Sequence, residues 1–144
     1  MQQDDRLRLE DLLDREIELA RSLAATLAAE RTSLTGDSPA AVEQNAADKT
    51  RTLASIEKLE QERRALCADP LNSELGATSR ERWGALMALM AGCRAANEVN
   101  GHIINVRQHQ VRQLIDIVRG GSPAHTYDNH GKTFAKALRA LARA

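Results

Sequence analysis

Residues 83–118 alternate steps of three and four without a slip, and that rhythm confines the chain to packed helices. The seam reads Trp83, Leu86, Met90, Cys93, Asn97, Asn100, Ile104, Arg107, Val111, Leu114 and Val118. Such spacing keeps one helical face turned toward a neighbour, as in a coiled coil. Across these 36 residues, a rise of 1.5 Å per residue predicts a rod of roughly 54 Å. Ser79 is placed to cap it. Gly120-Gly121-Ser122-Pro123 ends it with residues that stop or forbid a helix.

Two further segments carry helical patterns. Near the N-terminus Asp4 or Asp5 can cap a first helix. Leu9, Leu13, Ile17, Ala20, Ala24, Leu27 and Leu34 then fall on one face, widened by Leu12, Leu19 and Leu23, until Thr35-Gly36-Asp37 breaks the pattern. Ser38-Pro39 restarts it, with the serine as cap and the proline at a position whose missing N–H costs nothing. The second helix runs to about Ala68, with inward positions Val42, Ala46, Lys49, Leu53, Ile56, Glu60, Arg63 and Cys67. Asp69-Pro70 ends it, since the residue before a proline avoids helical angles. The fold class that follows is all-α: an elongated antiparallel three-helix bundle over residues 1–121, then a short amphipathic helix within 122–144.

Composition agrees. Ala, Glu, Lys, Leu and Arg form just over half of the 144 residues, and the aromatics are Trp83, Tyr127 and Phe134 alone. A β-sandwich or barrel needs many more aromatic and β-branched strand residues. The longest apolar run, Gly84 to Gly92, has nine residues, against about 20 for a membrane span. The acidic start, Met1-Gln2-Gln3-Asp4-Asp5, does not read as a signal peptide. Twenty basic residues balance twenty acidic ones, so the whole chain lacks the footprint of nucleic-acid binding. Residues 1–69 carry 15 acidic and 10 basic groups, and 70–144 carry 5 and 10; folding back would set opposite charges against each other. Cys67 and Cys93 read as reduced thiols of a cytosolic protein.

The chain offers little for catalysis. It contains no Gly-rich phosphate loop and no nucleophile elbow. His102 and His109 lie two turns apart on one helix, too far to chelate one ion, and Cys93 is also too distant along the axis. No enzyme, metal or cofactor is expected. The polar seam positions Asn97 and Asn100 read as devices that fix register at some cost in stability. Arg107 could face Glu60 or another acidic residue of the negative half, and Gly101 suggests a close helix approach; a binding notch is the alternative reading of this stretch. From Asn129 onward there are four basic residues and no acidic one. There Phe134, Leu138 and Leu141 form a stripe at i, i+4 and i+7. So short a helix is marginal in water unless something covers it. Such a tail could complete the bundle or meet a partner protein; with four charges and no aromatic ladder it would hold nucleic acid weakly.

Three blocks resemble the FlgN family of flagellar type III export chaperones. They are Lys49-x-x-x-Leu53-x-x-Ile56-x-x-Leu59-Glu60-x-x-Arg63-x-x-Leu66, then Asn97-x-x-Asn100-Gly101-x-x-Ile104-x-x-Arg107-x-x-x-Val111-x-x-Leu114, and then Tyr127-x-x-x-Gly131. The resemblance implies a cytoplasmic, non-enzymatic chaperone that holds hook–filament junction proteins of the FlgK and FlgL type before export. It implies that Phe134, Leu138 and Leu141 contact cargo and that Tyr127 docks at the export gate. Rival readings are a coiled-coil adaptor that oligomerises through the third helix, and a small regulator using its basic tail on nucleic acid.

Overall fold

The computed structural model describes residues 1–71 and 74–120. The order is α1 (Gln3–Thr35), α2 (Pro39–Leu66) and α3 (Ala77–Val118). There is no strand among the described residues, and the all-α expectation holds.

Local chemistry sets the helix ends. At the start of α2 the Ala41 N–H donates to Ser38 Oγ at 3.3 Å, and Pro39 occupies the first turn. The start of α1 differs from expectation: the cap position falls at Gln2, two residues before Asp4, with no side-chain cap. Asp4 and Asp5 instead lie in the first turn, where carboxylates favour the partial positive charge of the helix end. Likewise α3 begins at Ala77 rather than after Ser79, and Ser79 is buried within its first turn. At the far end Gly120 adopts φ +74°, a left-handed turn that glycine adopts without strain.

Pairings along the helices define the arrangement. Arg63 of α2 reaches Glu16 of α1, and Lys49 reaches Glu30, so these two helices run in opposite senses. Arg82 of α3 reaches Glu10 and Asp14, while Asn100 reaches Leu27 and Glu30, so α3 runs in the same sense as α1. Arg82 joins the basic half of the chain to the acidic half, at 2.8 Å to each carboxylate. α1 is the hub: α2 and α3 both pack along it and hardly on each other.

That arrangement explains which apolar positions are covered. On α1, Leu9, Leu12, Leu13, Ile17, Ala20, Leu23, Leu27 and Leu34 are buried. They face two neighbours, and the broad stripe in the sequence reflects this. On α2, Ile56 and Leu59 are buried, but Leu53 in the same heptad row is 38 % exposed. On α3 Ser79, Leu86, Cys93 and Asn100 form a buried row, one residue per heptad, and Asp116 is buried nearer the far end. The core divides into two clusters. One joins Leu9, Leu13, Ile17, Ala20, Cys67, Leu75 and Leu86; the other joins Leu23, Leu27, Ile56 and Cys93.

Candidate functional site

Two buried polar layers cross the helices. In the first, Glu16 of α1 pairs with Arg63 of α2 at 2.9 Å, and both side chains are almost fully buried. The Arg63 guanidinium also lies over the Trp83 ring, 4.5 Å from its centroid. Burial raises the Glu16 carboxyl above its ordinary value, more than the nearby Arg63 charge and hydrogen bond lower it; Glu60 adds to the rise.

The second layer lies fourteen residues further along α1 and fourteen back along α2. Lys49 Nζ sits 3.0 Å from Glu30 Oε2 and donates to Asn97 Oδ1 at 3.3 Å. Asn100, only 1 % exposed, donates from Nδ2 to the Leu27 carbonyl and to Glu30 Oε1, both at 2.9 Å. Its Oδ1 accepts from Arg31 Nε at 3.1 Å. Asn97 and Asn100 thus belong to one network that spans all three helices.

Two details of the sequence reading need correction. Arg107 is exposed on α3 and lies near Pro39 and Val42 at the start of α2, whereas Glu60 bonds Arg64 at 2.6 Å near the other end. The opposed sense of α2 and α3 separates them. At Gly101, an added Cβ would meet no heavy atom within 4 Å, so no close helix approach explains this glycine. Gly101→Ala should therefore raise stability by about 0.5–1 kcal/mol, through helix propensity and a less flexible unfolded chain. Thermal melting of the two proteins measures the gain.

Beyond Asn100 the seam of α3 emerges from cover. The Arg31–Asn100 bond sets the end of α1, Thr35, near residues 104–107 of α3. From there α3 continues without α1 beside it. Val111, Leu114 and Val118 carry on the seam, with Ile115 beside it, yet Leu114 is 63 % and Val118 84 % exposed. Val99, Val106 and Ile117 widen the apolar face to one side and are also exposed. At its base this face opens into a groove of about 630 Å³ against the α1–α2 turn, lined by Leu34, Pro39, Val42, Ile104 and Val111. This distal face of α3 was missed as a site by sequence reasoning. Its heptad rhythm does not differ from that of the covered half, and only the length of α1 reveals it.

Tyr127, Phe134, Leu138 and Leu141 lie outside the described residues. Among the described residues no group of three or more His, Cys, Asp or Glu side chains could hold a metal. No described helix is long and apolar enough to cross a membrane.

Comparison with known proteins gives one match. The family model described as FlgN protein covers residues 1–134. No curated protein and no solved structure matches the chain. The family match takes in both buried polar layers and the whole of α3, and the chain belongs to the FlgN family of flagellar export chaperones.

Proposed function

We propose that this protein is a cytoplasmic chaperone of flagellum assembly that binds hook–filament junction proteins of the FlgK and FlgL type before type III export. It performs no catalysis. The observation that carries this reading, beside the family match, is the uncovered distal face of α3. Val111, Leu114, Ile115 and Val118 form an apolar row on a helix that α1 no longer accompanies. Rows of this kind mark surfaces that bind other molecules, and an amphipathic helix laid along them is the simplest cover.

In this reading residues 1–121 form an elongated antiparallel bundle, and 122–144 form the partner-binding segment. Phe134, Leu138 and Leu141 of a short amphipathic helix hold the terminal helix of the cargo together with distal α3. Tyr127 docks at the export gate. The second reading, a coiled-coil adaptor, draws on the same α3 face paired with its own copy. Light scattering without cargo separates the two, because an adaptor is a stable oligomer by itself.

Calorimetry with a purified hook–filament junction protein tests the reading. The chain truncated after Gly121 should keep its helicity and cooperative melting but lose cargo. Leu114→Asp and Leu138→Asp should each weaken binding by at least about tenfold, since a charge in a buried apolar contact costs several kcal/mol. Leu114 is exposed in the free protein, so that variant should melt as the parent does. Tyr127→Ala should retain cargo and reduce export. Unchanged affinity in the truncated chain and in both aspartate variants would refute the site assignment. Absence of any cargo binding by the parent would refute the function.

A further inference from the structure

The end of the molecule opposite the distal α3 face carries a second groove. Because α2 and α3 both lean on α1 and hardly on each other, they leave a channel of about 780 Å³ between them. Leu86 lies in its floor, and Trp83, Met87 and Met90 line its α3 side. Arg64 and Arg94 stand on its two rims. The composition is distinctive for this chain: its single tryptophan and two of its three methionines face one groove. Trp, Met and Arg are the residues enriched where proteins bind proteins.

The groove is part rigid and part adaptable. Arg63, held by Glu16, stacks on the Trp83 ring and fixes its plane. Met87 is 41 % exposed, and unbranched thioethers reshape to fit an incoming apolar side chain. From Trp83 to Arg94 is eleven residues, roughly 16 Å of helix, or three turns.

Charge selects the occupant. Arg64 is neutralised by Glu60 at 2.6 Å, which leaves Arg94 as the rim cation with no described ion pair. The chain's own residues 129–144 carry four basic groups and no acidic one, so they do not complement this rim. A second copy offers Leu7 between exposed Asp4 and Asp11, a single apolar residue too short to fill three turns, while its longer exposed row of Val111, Leu114, Ile115 and Val118 is flanked by exposed Arg107 and Arg119 rather than by carboxylates. We infer that the α2–α3 groove is a second docking site, for an amphipathic helix of a partner protein that places apolar side chains against Trp83 and Met87 and a carboxylate against Arg94. The site does not depend on the cargo assignment, since Leu114 lies roughly 40 Å along α3 from Met87.

The test uses the full chain and a synthetic helical peptide of about 14 residues, or four turns. The peptide has leucines on one face, glutamates on the flanks and no tryptophan, so Trp83 emission reports its seating. A second peptide carries lysine in place of every glutamate. The acidic peptide should shift Trp83 emission and bind at least about tenfold more tightly than the basic one, with the difference shrinking as salt rises. Arg94→Glu should reverse that preference. Met87→Asp should weaken both peptides; both residues are exposed, so neither change should alter the melting profile. Equal affinity for the two peptides, no binding of either, or binding abolished by Leu114→Asp but unaffected at Met87 and Arg94 would each overturn the proposal. So would an emission shift that follows self-association of the chain rather than peptide concentration.

Discussion

Arg63→Ala should destabilise the protein by about 3–5 kcal/mol, the range for removing one partner of a buried ion pair. The loss is large because Glu16 stays behind, almost fully buried, with its partner gone. The contact between Arg63 and Trp83 disappears as well. Burial already raises the Glu16 carboxyl above its ordinary value, and removing Arg63 also removes the influence that lowers it. The sign of the pH dependence follows. In the variant the folded-state value stands above that of the unfolded chain, so the folded protein takes up a proton first as pH falls. Stability is regained as pH drops through the raised folded value toward 4.5, and it is lost again as pH rises. Urea unfolding of parent and variant at a series of pH values measures both effects. A deficit constant across that range would show that lost packing, not the stranded carboxylate, dominates. Glu16→Leu combined with Arg63→Met should recover most of the loss, because a well-packed apolar pair often matches a buried ion pair.

Lys49→Ala should cost a similar amount, about 3–5 kcal/mol. Its ammonium meets Glu30 and Asn97 in one buried layer, and without it the Glu30 carboxylate keeps, among the described residues, the Asn100 amide. Asn100→Leu is the informative companion. From sequence alone, leucine at a seam position should stabilise. In the structure Asn100 supplies a hydrogen bond to buried Glu30 and accepts one from Arg31, so leucine should instead destabilise by about 1–3 kcal/mol, the penalty for leaving a buried polar group unsatisfied. Chemical denaturation of the two single variants and the double variant forms a cycle. Additive losses would mean that Lys49 and Asn100 act independently rather than through Glu30.

The helices were readable because their signals are local. Ser38-Pro39 announces the start of α2, and the three-and-four rhythm of residues 83–118 announces α3. The direction of the asparagine effect was not readable, because it depends on Glu30, seventy residues away in sequence. The polar residues of the α2 row, Lys49, Glu60 and Arg63, look alike in a heptad pattern. Only the partner on α1 separates buried Lys49 and Arg63 from half-buried Glu60. The distal face of α3 escaped for a geometric reason: α1 ends at Thr35 while α3 continues to Val118, and a seam carries no mark of where its neighbour stops. The family resemblance implies a functional surface at Tyr127, Phe134, Leu138 and Leu141, outside the described residues; the described residues show an exposed apolar row immediately before them.

The unequal lengths of α1 and α3 also set how the backbone breathes. Amides of α3 near Leu86, Cys93 and Asn100 sit against α1, so they should exchange with solvent only when the whole bundle opens. Amides from about Gln108 to Val118 belong to a cantilever of roughly three turns that extends past the end of α1, with Leu114 and Val118 exposed and Asp116 buried. These should exchange far faster, by fraying from the Gly120 end. Deuterium uptake would then fall along one continuous helix as a gradient with its step near residues 104–108. A molecule that lies along the cantilever slows exchange there and leaves the anchored turns unchanged, so the position of the step reports whether the distal face is occupied.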